Sequence, residues 1–158
     1  MDINANFTIE LVLMHEDLEA LWGSPISTPT EKGYPVLFSD MVYWVLFADN
    51  EAIAYTSSLM MHDRRFVLVG NTYVRKEWRS KGLHTHLLKE RNKADHMDGI
   101  TKVTVLNPIE ESEMKNLMGV VKKLGYTEIE SFGDAEDIMT SYEYCDLYLK
   151  HQQIWRLD

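Results

Sequence analysis

Hydrophobic and polar positions along the chain group into a succession of short strands and amphipathic helices. Phe7 to Met14 alternates loosely and ends in an apolar run, which predicts a first strand. His15 to Trp22 follows as a short helix, with Leu18, Leu21 and Trp22 on one side and Glu16, Asp17 and Glu19 on the other. Gly23 to Pro35 gathers Ser, Thr and Gly with Pro25, Pro29 and Pro35, so it reads as a loop with room for one helical turn near Thr28 to Lys32. Met41 to Ala48 and Ala52 to Met61 are apolar runs flanking Asp49-Asn50-Glu51, a polar turn of hairpin length. Past His62-Asp63-Arg64-Arg65, Phe66 to Val74 is a strand rich in β-branched and aromatic residues.

Beyond Val74 the period changes. Leu83, Leu87 and Leu88 recur at near-helical spacing among Lys89, Glu90, Arg91 and Lys93, so an amphipathic helix follows the strand. Ile100 to Leu106 is a β-branched run, and Ile109 to Leu124 is helical, with Met114, Leu117, Met118, Val121 and Leu124 on one face and Gly125 as its stop. Tyr126 to Phe132 and Tyr142 to Leu149 read as two more strands joined by the acidic connection Gly133 to Thr140. Tyr142, Tyr144, Leu147 and Tyr148 then fall on alternate sides of the final strand and form no stacking platform for bases. The connection from Phe66 to Leu106 is a βαβ crossover, which makes its two strands parallel in a sheet that is otherwise antiparallel. The predicted fold class is therefore α/β, of the α+β mixed-sheet kind, with about seven strands and about four helices over a single domain of 158 residues.

Composition narrows the function. The formal net charge of −9 argues against nucleic-acid and anionic-membrane partners, which are bound mainly through Lys and Arg, and leans toward cationic ones. Met1-Asp2-Ile3-Asn4 lacks the basic and apolar regions of a signal peptide, and the longest apolar run is too short to span a bilayer, so a cytoplasmic location is expected. The lone Cys145 has no partner for an internal disulfide and reads as a small buried hydrophobe rather than a reactive thiol.

The candidate chemistry lies where the strand Phe66 to Val74 meets the helix after it. Ser80 is placed to cap that helix, and Gly82 would let a ligand approach the backbone without meeting a Cβ. Unpaired amides at such a helix start attract an anion by roughly 0.3–1 kcal/mol. Arg79 and Lys81 add positive charge, so phosphate is the natural guest. His84 and His86 lie about 200° apart on the helix and cannot share one metal, and no metal is expected.

The run Val74-Arg75-Lys76-Glu77-Trp78-Arg79-Ser80-Lys81-Gly82-Leu83 resembles the acetyl-CoA-binding signature of the GCN5-related N-acetyltransferases, and the order of predicted elements is the order of that family. One position departs: His84 stands where the family has Gly or Ala. The resemblance implies acetyl-CoA as cosubstrate and a small amine acceptor, with Thr72, Tyr73, Val74, Arg79, Ser80, Lys81, Gly82, Leu83, His84, Thr85 and Asn107 at the cofactor. It also implies that the central strands splay to admit the pantetheine arm near Thr72 to Val74. A homodimer is compatible with it. Asn107 reads equally as a cofactor contact and as a cap for the helix at Ile109.

Transfer to an amine needs a neutral nucleophile, since a lysine-type amine with a pKa of about 10.4 is mostly charged at neutral pH. Asn71, Thr72, Asn107 and Tyr126 are the candidates near the expected centre, and nothing in the sequence singles out the base. Val120-Val121-Lys122-Lys123-Leu124-Gly125-Tyr126 resembles the family's Phe-Tyr-x-x-x-Gly-Phe, with Val121 in place of the tyrosine that protonates the departing thiolate. Tyr126 is the substitute donor, and Asn107 and Tyr126 are the catalytic candidates. In the family the last hairpin borders the acceptor entrance. The crowding there of Glu128, Glu130, Asp134, Glu136, Asp137 and Glu143 points to a cationic acceptor. A module that binds acyl-CoA without turning it over is the alternative.

Overall fold

The computed structural model describes residues 5–26, 38–61, 63–107, 111–150 and 153–158. Seven strands form one sheet in the order β1-β2-β3-β4-β5-β7-β6. β1 (Phe7–Val12), β2 (Phe38–Ala48), β3 (Glu51–Met61) and β4 (Phe66–Val74) pair antiparallel in succession. β5 (Thr101–Val105) lies parallel to β4, and β7 (Ile154–Leu157) inserts between β5 and β6 (Thr127–Glu128). The β2–β3 turn holds Asp49 at φ 47° and Asn50 at φ 72°, the left-handed pair that a two-residue hairpin needs and that Asp and Asn tolerate.

Strand alternation decides which helix packs on which face. Trp44 and Leu46 join a core with Leu83 and Leu87 of α2 (Leu83–Asn92) and Val121 of α3 (Met114–Lys123). Tyr43, Val45 and Phe47 face the other way, onto Leu18 and Trp22 of α1 (His15–Trp22). A third cluster sets Leu147 of α4 (Ser141–Lys150) against Leu59, Phe66, Leu68 and Val103. Each face thus uses every second residue of the strands, as a pleated sheet requires.

Several expectations are corrected. Tyr142 to Leu149 is helix, not strand: Glu143 and Leu147, four residues apart, are both buried, and Tyr142 and Tyr148 are exposed. The cause is a capping box, in which the Glu143 amide donates to Thr140 Oγ1 (3.2 Å) and the Thr140 amide donates to Glu143 Oε2 (2.6 Å). The seventh strand is the short Ile154–Leu157. The strand expected over Tyr126 to Phe132 shrinks to Thr127–Glu128, because Asp134 accepts from the Glu130 and Ser131 amides and turns the chain out of the sheet. The third helix begins at Met114, after a 3-10 turn over Glu111–Glu113; Ile109, and the turn expected at Thr28 to Lys32, lie outside the described residues. Cys145 is exposed, on the outer face of α4.

Candidate active site

β4 and β5 are paired from Phe66↔Thr101 to Val69↔Thr104 and no further. From Gly70 onward β4 keeps its bonds to β3, and β5 keeps its own to β7 as far as Val105↔Ile154, so the two central strands part after Val69 and Thr104. A bulge sits at the point of parting: between Ser57↔Gly70 and Tyr55↔Tyr73, Thr56 alone faces both Asn71 and Thr72. Asn71 takes φ 51° there. Hydroxyls pin this backbone. Thr56 Oγ1 lies 2.7 Å from Thr72 Oγ1, and Ser57 Oγ donates to the Gly70 carbonyl at 2.9 Å.

The opening is a cavity of about 520 Å³ between the parted strands, α2 and α3. Its polar lining includes Thr72, His84, Arg91, Thr104, Asn107 and Tyr126, with Tyr55 and Tyr73 also on the wall and Leu88, Leu117, Val120 and Val121 as its apolar side. His84, Leu88 and Arg91 reach it together because positions four and seven residues on share a helix face. Burial, and the guanidinium of Arg91, hold the His84 imidazole below the usual histidine range. Burial likewise pushes the Arg91 guanidinium down, while the Tyr126 hydroxyl acts in the other direction.

Tyr126 enters through the end of α3. The Tyr126 amide donates to the Val121 carbonyl (3.0 Å) and the Gly125 amide to that of Lys122 (3.1 Å), the bond pair of a Schellman motif, with Gly125 at φ 93°. That motif brings the residue after the glycine against the one five positions earlier. Tyr126 therefore lies beside Val121, and both line the cavity.

The predicted cofactor residues divide. Thr72, Tyr73, His84 and Asn107 line the cavity, whereas Val74 and Leu83 are buried in the core beneath α2. Arg79, Ser80, Lys81 and Gly82 form the turn before α2, and Thr85 lies in its first turn. Ser80 does not cap the helix: it holds φ 63°, and the cap position is Gly82 at φ 76°, with no side-chain bond. The first main-chain bond of α2 joins the His86 amide to the Gly82 carbonyl (3.1 Å). The amides of Leu83, His84 and Thr85 precede it, positions that a helix cannot satisfy internally. Arg79 is tethered rather than mobile, its Nε bonded to the Val74 carbonyl at 2.8 Å and its guanidinium 5.2 Å from the Tyr73 ring centre. Arg75 is spent on the Trp22 and Ala52 carbonyls.

Asn107 is exposed at the cavity rim after β5 and caps no described helix, since α3 starts seven residues later at Met114. Thr56, Asn92 and Arg91 join the site through their hydrogen bonds, and no motif in the sequence marks them. The signal for Arg91 was its spacing of four from Leu87 and three from Leu88, which puts it on the apolar stripe and not on the charged face. The acidic residues do not gather at the cavity. Glu143 is buried against Arg65 (2.9 Å), Asp137 pairs with Arg156 (2.8 Å), Asp134 caps its own turn, and none of the six lines the opening.

The sequence matches no protein-family model and no curated protein. In three dimensions it is similar to many solved acetyltransferases. One is an acyl-CoA N-acyltransferase from Pseudomonas aeruginosa, with TM-score 0.60 and 16% identity over 97% of this chain and 100% of that one. Another is the ribosomal-protein-S18-alanine N-acetyltransferase of Escherichia coli, with TM-score 0.59 and 15% identity over 96% and 93%. A third is the N-acetylglutamate synthase of Neisseria gonorrhoeae, solved with coenzyme A and N-acetyl-glutamate, with TM-score 0.58 and 11% identity over 94% of this chain and 34% of that one. At such identities the likeness is one of architecture. Together with the seven-stranded mixed sheet and its parted central pair, it establishes that this chain has the acyl-CoA N-acyltransferase fold of the GCN5-related N-acetyltransferases.

Proposed function

We propose that the chain is a single-domain, cytoplasmic N-acetyltransferase that moves an acetyl group from acetyl-CoA to a primary amine. The observation that carries this reading is the parting of β4 and β5 after Val69 and Thr104 over a cavity of about 520 Å³, with the uncapped start of α2 following the end of β4. The open edge of β4 from Asn71 to Val74 offers peptide groups to an extended amide-bearing chain such as pantetheine. The amides of Leu83, His84 and Thr85 suit a diphosphate. Support for the donor also comes from the Neisseria gonorrhoeae structure, which holds coenzyme A.

Bound acetyl-CoA supplies a thioester carbonyl carbon for the amine to attack and a thiol to release. The chain's part is to orient and to move protons. Tyr126, beside Val121, lines the cavity and serves as the acid for the sulfur. Asn107 at the rim is placed to fix the thioester end of the arm, and a proton leaves the amine through water in the cleft. Tyr55 and Tyr73 bound the cavity on the face that carries Trp22, where the rings meet edge to face (4.8 and 5.7 Å), and the acceptor enters there. None of the six acidic residues of the last segment lines the cavity, so the acceptor is a small primary amine of no assigned charge.

Val121 favours a second reading, an acyl-CoA-binding module without turnover, because an apolar side chain fills the place of the family's acid. Two measurements separate them. Saturating CoA should stabilise the fold, by about 2.7 kcal/mol at a hundredfold excess over Kd, and acetyl-CoA with a panel of amines should release free thiol. An unchanged Tm in CoA sinks both readings; stabilisation with no thiol released from any amine selects the module.

A further inference from the structure

Arg91 is 2% exposed in the last turn of α2 and carries its charge into the cavity wall. Its Nη1 donates to Thr56 Oγ1 (2.8 Å), its Nη2 to the Tyr126 hydroxyl (3.2 Å) and its Nε to Asn92 Oδ1 (3.1 Å), all neutral oxygens. The ionisable groups around it are His84 on the same helix, Lys102 on β5 and Tyr126 after α3; Tyr55 on β3 and Tyr73 on β4, paired with each other, also line the cavity. Among the described residues no carboxylate pairs with Arg91, and no Asp or Glu lines the cavity. A guanidinium stays charged inside proteins, and burying it without an anion leaves its desolvation uncompensated. An anion that forms in this cavity would complete the pair.

Tyr126 shows where. Its oxygen accepts from Arg91 Nη2 at 3.2 Å and from Asn92 Nδ2 at 3.3 Å, and the Arg91 Nε bond to Asn92 Oδ1 turns that amide the right way round. A hydroxyl oxygen has two lone pairs, and here both are taken. The Tyr126 proton must then point away from both donors, on a residue that lines the cavity.

We propose that Arg91 is the positioning residue for the CoA sulfur, holding the Tyr126 proton toward it and supplying the counter-charge to the thiolate that leaves. The proposal rests on the acyl-CoA reading of the cleft. The amine nitrogen bonds to the thioester carbonyl carbon, the C–S bond breaks with its electron pair on sulfur, and the Tyr126 proton passes to sulfur to give the thiol. The phenolate keeps the Arg91 and Asn92 hydrogen bonds until the proton shed by the acylated nitrogen returns to it through water. The cation on α2 thus does work that Val121 on α3 cannot.

The test reads the product complex rather than turnover. The thiol of CoA bound to the protein is titrated by thiolate absorbance, as a difference against the complex with desulfo-CoA. A cation and a hydrogen-bond donor at the sulfur should make bound CoA ionise about one pH unit or more below free CoA. Arg91→Met should abolish that shift and Arg91→Lys should keep part of it, with kcat down at least about tenfold and CoA Kd nearly unchanged in the Lys variant. Bound CoA that titrates like free CoA overturns the proposal on wild-type protein alone, even where the Met variant fails to fold. Failure of CoA to bind at all overturns it by a different route, through the reading of the cleft.

Discussion

Tyr126 shows how one side chain acquires a role from its neighbours. On Tyr126→Phe, kcat should fall about 10²–10⁴-fold, the usual size of acid catalysis, with CoA affinity little changed. The same change leaves Arg91 and Asn92 donors unmet in a buried setting and should cost about 1–3 kcal/mol of stability, so rates must be compared well below the variant's Tm. A Phe variant at wild-type kcat would clear Tyr126 of the acid role. His84 gives a second prediction at this scale. Burial and Arg91 hold its imidazole below the usual value, so the unfolded chain takes up a proton near pH 6.5 at which the folded one does not. The stability tied to His84 is full above that range and is lost as pH falls toward the lowered folded value. Tm measured from pH 7 to 5 should drop less steeply in His84→Gln than in wild type; equal slopes would remove His84 from the account.

Among the elements, the turn into α2 is the most exacting. Gly82 holds φ 76° with no heavy atom within 4 Å of a Cβ built there, so a side chain meets open space but a forbidden backbone conformation. Gly82→Val should cost about 1–2 kcal/mol for the left-handed conformation and abolish the stabilisation by CoA, because the new branch projects beside the free amides. A Val variant that keeps the full CoA-induced rise in Tm would place the diphosphate elsewhere. This element is legible in the sequence as strand, turn and helix, although the sequence points to Ser80 as the cap. A serine and a glycine both start helices well, and only the backbone angles show that Gly82 holds the cap position. The helix α4 departs from its sequence pattern for a different reason. Tyr142-Glu143-Tyr144-Cys145-Asp146-Leu147-Tyr148-Leu149 has the composition of a strand, yet Thr140-Ser141-Tyr142-Glu143 carries a capping-box signature that outweighs aromatic β-propensity once Leu147 has a sheet to pack on.

At the scale of the whole molecule the question is where the charge of −9 goes. Some of it is held in internal ion pairs, in which Arg65 takes Asp63 and Glu143 and Arg156 takes Asp137 and Asp158, and no acidic residue among those described lines the cavity. Glu136→Lys and Asp137→Lys should therefore leave the acceptor KM unchanged, and a clear rise in KM would return these residues to the acceptor's path. Asp137 should instead show itself in acid. Arg156 holds its carboxyl below the ordinary carboxylate value of about 3.9, so this contribution is complete above that value and is lost as pH falls through the depressed one. The acid-unfolding midpoint of Asp137→Asn should lie at a higher pH than that of wild type, and coincident midpoints would mean that the exposed pair adds nothing.

The sequence by itself determined the elements whose signals are local. Period-2 and period-3.6 patterns, the Asp49-Asn50 turn, Gly82 and Gly125 need only neighbouring residues to act, and from them followed the mixed sheet, the βαβ crossover and the anion-seeking helix start. The tertiary structure alone decided what depends on partners distant in the chain. The parting of β4 from β5 arises because β3 and β7 hold them on opposite sides after Val69 and Thr104. The short strand Ile154–Leu157 is stable because it is inserted between two others. Arg91, set apart from the solvated lysines beside it only by its place on the apolar stripe, becomes a buried cation because Thr56 and Tyr126, each 35 residues away, close around it. Charge patterning shows that a side chain is ionised; only the packing of remote segments fixes whether water or a reacting group is what it meets.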